Sequence, residues 1–157
     1  MVSITFFRCK KRLLLHFFIV KNVFPCYIVG MQQQGGKIMY RTTMEKLYKW
    51  KESKRRKPLI IEGARQVGKT WLLKEFGRQY YENTAYFNFD ESPEYQQFFE
   101  TTKDVGRILQ NLMLASGQKI SPGTTLIVFD EVQDCPNVIN SMKYFCENAP
   151  QYHIACA

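Results

Sequence analysis

Leu59-Ile60-Ile61-Glu62-Gly63-Ala64-Arg65-Gln66-Val67-Gly68-Lys69-Thr70-Trp71-Leu72-Leu73 is the stretch that decides the fold. Gly63, Gly68, Lys69 and Thr70 fill the fixed positions of G-x-x-x-x-G-K-[ST], the pattern of a phosphate-binding loop. The flanks agree with it. Leu59-Ile60-Ile61 follows Pro58 as a short apolar run, which suits a buried parallel strand. Leu72, Leu73 and Phe76 then recur at helical spacing, predicting a helix from about Lys69 to Arg78. A surface turn rich in glycine would explain the loop alone, but not the loop between a strand and a helix.

The spacing follows from the chemistry of phosphate. Backbone N–H groups in a concave loop, together with the positive end of a helix, hold dense negative charge. Glycines let the backbone turn tightly and come close to the oxygens. Gly63, Ala64, Arg65, Gln66, Val67, Gly68, Lys69, Thr70 and Trp71 are therefore the expected nucleotide-binding positions. Lys69 can reach the β- and γ-phosphates, and the Thr70 hydroxyl can ligate the Mg2+ that bridges them. Such a loop implies an α/β P-loop NTPase fold, a parallel sheet with flanking helices.

A second site is expected at Thr125-Leu126-Ile127-Val128-Phe129-Asp130-Glu131. Four apolar residues leading into two acids suit a strand buried on both faces, with its carboxyl end at the ligand. Asp130 is the expected metal partner, and Glu131 the catalytic carboxylate that orients and polarises water. Lys69 is expected to serve catalysis as well, through the phosphates. An acid at Glu131 suits hydrolysis, where water is the nucleophile, better than a kinase that must exclude water. Between the two sites, Ala85–Phe89 reads as a strand after a turn at Asn83-Thr84, and Val105, Ile108, Leu109 and Leu112 mark an amphipathic helix. A helix from Pro136 and a strand from Tyr152 follow.

Charge is divided along the chain. The net charge is +8, but residues 1–57 hold 14 Lys/Arg against Glu45 and Glu52, whereas residues 58–157 hold 8 against 12 acids. The loop-bearing part is thus mildly acidic, which argues against a globally basic nucleic-acid-binding domain. The Lys54-Arg55-Arg56-Lys57 cluster keeps nucleic acid open as a partner, though a solvated linker is the commoner use. Five widely spaced cysteines and two histidines give no metal-ligand spacing and no disulfide framework, which points to the cytoplasm.

Residues 1–38 are expected to be an extension outside the domain. Basic residues Arg8 to Arg12 precede an apolar run, Leu13–Val20, too short for the ~20 residues of a membrane span. Gln32–Gly36 reads as a flexible break, and an entry helix capped at Thr42 or Thr43 is expected to lay Met44, Leu47 and Tyr48 along one side.

Gly63–Thr70, Phe87-Asn88-Phe89-Asp90 and Phe129-Asp130-Glu131-Val132-Gln133, standing in this order, resemble the N-terminal ATPase domain of bacterial and archaeal AAA-type ATPases that carry a DUF4143 region. The likeness covers about residues 39–157. It implies ATP and Mg2+ as cofactors, with Lys69 and Thr70 on phosphate and metal, Asp130 on metal and Glu131 in catalysis. It also implies that the strand from Tyr152 lies between the phosphate-loop strand and the Asp130 strand. By this resemblance the γ-phosphate-sensing residue, the last core strand, the helical lid and any arginine finger are missing. The domain is then expected to be incomplete at its C-terminus, to bind ATP weakly and to turn it over little alone. A protein partner or self-association would act through the missing region. Two other readings stand beside this one: a small P-loop phosphotransferase, and a nucleic-acid-binding module using residues 54–57.

Overall fold

A computed structural model of the chain describes residues 2–6, 18–20, 34–63 and 66–157. The elements run β1 (Val2–Phe6), β2 (Phe18–Val20), α1 (Gln34–Glu52), β3 (Leu59–Gly63), α2 (Lys69–Tyr80) and β4 (Asn83–Asn88). Then come α3 (Glu94–Thr101), α4 (Val105–Ser116), β5 (Thr125–Asp130), a short 3-10 turn at Val132–Asp134, α5 (Pro136–Asn148) and β6 (His153–Cys156). The sheet order is β2-β1-β3-β6-β5-β4. Its four strands β3, β6, β5 and β4 are parallel, and β6 sits between β3 and β5 as expected.

The apolar run of β5 is continuous because both of its faces are covered. Leu126 and Val128 join Leu59, Ile61 and Ala155 beneath α1 and α2. Ile127 and Phe129 join Phe87, Ile154 and Cys156 beneath α3, α4 and α5. On that side Phe87, Phe89, Phe99 and Phe145 surround Phe129, with ring centroids 5.6–6.2 Å apart and mostly edge-on. This is the geometry aromatic quadrupoles favour.

Three boundaries depart from expectation. Residues 2–6 are not outside the sheet: β1 pairs antiparallel with β3 over five residues, from Val2↔Gly63 to Phe6↔Leu59, and β2 pairs with β1. The physical reason is the outer edge of β3, whose backbone groups need partners. Helix α1 begins at Gln34, so the Gln34–Gly36 part of the supposed break is helical and neither Thr42 nor Thr43 is a cap. Its buried line is Met44, Leu47 and Trp50, while Tyr48 is 44% exposed. Asn83 and Thr84 belong to β4 rather than to a turn. None of the described helices is long and apolar enough to cross a membrane.

Candidate functional site

Strand β3 ends at Gly63, and α2 begins at Lys69. The loop residues Ala64 and Arg65 lie outside the described residues. Gln66 and Gly68 both have positive φ, 61° and 83°. At Gly68 that left-handed backbone needs glycine, since a β-carbon would be strained there whatever the space. Gly68 also stands at the N-cap of α2, so no side chain caps the helix. The amino end of α2, with its partial positive charge, thus follows the loop directly. Val67, Lys69 and Thr70 are half-buried around this turn, and Trp71 is 50% exposed.

Asp130 ends β5, is 3% exposed, and faces this turn. The Thr70 hydroxyl donates to Asp130 Oδ2 at 2.7 Å. Sixty residues of chain separate the two, and the parallel strand order brings them together. Tyr86 of β4 donates its hydroxyl to the same Oδ2, also at 2.7 Å, and the Glu131 N–H donates to Oδ1 at 3.1 Å. The buried carboxylate is therefore held by three donors, which offsets the cost of removing it from water. Burial, and next the hydrogen bond to Asp130, push the Tyr86 phenol above its ordinary value, so it stays a neutral donor.

Glu131 follows in a left-handed conformation (φ 55°, ψ 44°), uncommon for a residue with a β-carbon. Two backbone bonds hold this corner: Ala157 N–H to Phe129 C=O at 2.9 Å, and Val132 N–H to Ala157 C=O at 3.2 Å. The Gln133 amide donates to Glu131 Oε2.

A hydroxyl beside a carboxylate is a hard oxygen set, which suits Mg2+ better than a thiophilic metal. No cluster of three or more His, Cys, Asp or Glu that could hold a metal occurs among the described residues. The residues at hand therefore fit an ion that takes one or two protein oxygens and completes its shell with phosphate and water.

The Lys54–Lys57 cluster and His153 fall elsewhere. Arg56 is half-buried and built into the fold, donating from Nη1 to Lys51 C=O at 2.8 Å and from Nη2 to Pro150 C=O at 3.1 Å. Lys57 accepts from Trp50 Nε1 through its carbonyl at 2.8 Å. Lys54 and Arg55 of that cluster are exposed, while Arg56 and Lys57 are half-buried, which reduces the basic surface open to nucleic acid. His153 lies at the amino end of β6, paired with Leu126, and so at the far end of the sheet from Asp130. It is a packed residue: Nδ1 meets the Tyr81 hydroxyl at 2.7 Å, and Trp50 stands edge-on to its ring. Sequence reasoning passed over Tyr86 and Gln133. The alternation of Thr84, Tyr86 and Asn88 with apolar Ala85 and Phe87 is the sequence signal for Tyr86, and the structure leaves the first set half-buried and buries the second.

A family model described as an AAA domain matches residues 55–157, about two thirds of the chain. Comparison with curated proteins and with solved structures gave no match. The matched span holds the loop, the Asp130 corner and all four parallel strands, and by it the chain belongs to the AAA domain family, a P-loop ATPase-like α/β domain.

Proposed function

We propose that this chain binds ATP with Mg2+ through residues 63–71 and that the Thr70–Asp130 pair forms the metal-side wall of the site. The observation that carries the reading is the 2.7 Å contact between Thr70 Oγ1 and Asp130 Oδ2. It joins the end of the phosphate loop to the carboxyl end of β5, where ligands bind in open parallel sheets. Lys69, one residue before Thr70, supplies an ammonium group for the β- and γ-phosphates. Bound Mg2+ would neutralise phosphate charge as the terminal bond breaks.

Hydrolysis is assigned to Glu131. Gln133 takes one acceptor place on Oε2, and the carboxylate's remaining acceptor places would orient a water and take its proton. The finer kinship, to the ATPases that carry a DUF4143 region, rests on the motif likeness. The cytoplasmic setting rests on cysteines with no disulfide spacing.

Two substitutions separate the roles. Glu131→Gln is expected to keep Mg-ATP binding while turnover falls about a hundredfold or more. Asp130→Asn is expected to lose the Mg2+-dependent part of binding. Unchanged turnover in Glu131→Gln would remove Glu131 from the chemistry.

A further inference from the structure

Tyr86 is a side chain of the site that neither the loop pattern nor the acidic strand end calls for. Its hydroxyl lies between Asp130 Oδ2, to which it donates at 2.7 Å, and the Asn88 amide, which donates to it at 3.4 Å. Asn88 is fixed in turn, because its Oδ1 accepts from the Asp90 and Glu91 amides at 2.9 and 3.2 Å. The face of the Tyr86 ring carries Lys74 Nζ, 3.6 Å from its centroid. Lys74 is four residues beyond Thr70 on α2, so one face of that helix reaches Asp130 directly and Tyr86 through its ring.

A carboxylate oxygen has room for about two donors. Thr70 and Tyr86 fill Oδ2, and the Glu131 amide takes one place on Oδ1. Counting the described residues, one acceptor position then remains on Asp130, on Oδ1, and three donors hold the carboxylate plane. Resting on the nucleotide reading above, we propose that Tyr86 is a positioning residue: its hydroxyl locks the Asp130 carboxylate in the orientation that receives the metal-bound part of Mg-ATP. Phenylalanine at this position would keep the ring and the Lys74 contact, yet remove one of the two donors on Oδ2 and loosen the carboxylate.

The test compares ATP binding in excess Mg2+ and in EDTA for the wild-type chain, Tyr86→Phe and Asp130→Asn, with thermal unfolding of each. Tyr86→Phe is expected to weaken binding about tenfold in Mg2+ and to leave the EDTA affinity in place, as outer-shell partners of metal ligands do. Asp130→Asn is expected to lose the Mg2+-dependent gain. A Tyr86→Phe chain that keeps the full gain while Asp130→Asn loses it overturns the role of Tyr86 alone. Equal weakening of Tyr86→Phe in Mg2+ and in EDTA also overturns it, since a merely structural hydroxyl would behave so. Asp130→Asn with an undiminished gain, or a wild-type chain without affinity for ATP, overturns the nucleotide reading and this proposal with it.

Discussion

The Gln118 side chain pairs with Tyr86 as a neighbouring strand would: its Oε1 accepts from the Tyr86 N–H at 2.8 Å, and its Nε2 donates to the Tyr86 carbonyl at 2.9 Å. β4 ends the sheet order, so these backbone groups point away from β5. Left open, such an edge is a template for another chain. Gln118→Ala is expected to lower stability by about 1–2 kcal/mol and to promote concentration-dependent association. Urea unfolding and sedimentation velocity measure the two effects; a monomer of unchanged stability would contradict this role.

Gly77 of α2 lies against Thr84 of β4. A β-carbon there would sit 2.1 Å from Thr84 Oγ1 and 3.1 Å from its Cβ, so turning the side chain does not clear it. Helix propensity alone would make Gly77→Ala stabilising by about 1 kcal/mol. Overpacking costs about 1–3 kcal/mol or more and wins at this position, so the substitution is expected to destabilise. Denaturant unfolding reads the sign directly.

His153 makes stability depend on pH. Burial, then the charges of Arg56 and Lys51, hold its imidazole down to about 4 against an ordinary 6.5. Below pH 6.5 the unfolded chain takes up a proton that the folded chain refuses, so stability falls as pH drops from 6.5 toward 4. The expected loss between pH 7.5 and pH 5 is about 2 kcal/mol. His153→Gln, which keeps a polar partner for Tyr81, should flatten that slope. A slope unchanged in this variant would locate the titration elsewhere.

The two tryptophans occupy opposite environments. Trp50 is 4% exposed and bonded to Lys57, whereas Trp71 is 50% exposed in the first turn after the phosphate loop. ATP is expected to shift Trp71 emission and leave Trp50 silent. Trp71→Phe should abolish the fluorescence change; its persistence would mean that Trp71 does not report the site.

Much of this was legible in the chain itself. The placement of β6 came from the family resemblance, whereas the loop and the doubly buried β5 follow from apolar runs and motif order, signals that are local and repeated. Helix α4 was legible for the same reason. What escaped depends on single long-range contacts. Nothing in the Lys54–Lys57 run says that Arg56 turns inward to Pro150, 94 residues away. Nothing around Gln118 marks it as a stand-in strand. The pairing of Val2–Phe6 with β3 was hidden because backbone complementarity at a sheet edge leaves no compositional trace.

Calorimetric titration of the chain with ATP in Mg2+ tests the central claim most directly, with Lys69→Ala alongside. The account predicts one-to-one binding by the wild-type chain and at least a tenfold weaker signal when the ammonium group is removed, the scale of a lost charge-assisted phosphate contact. No binding by the wild-type chain, or equal binding by both, would contradict it.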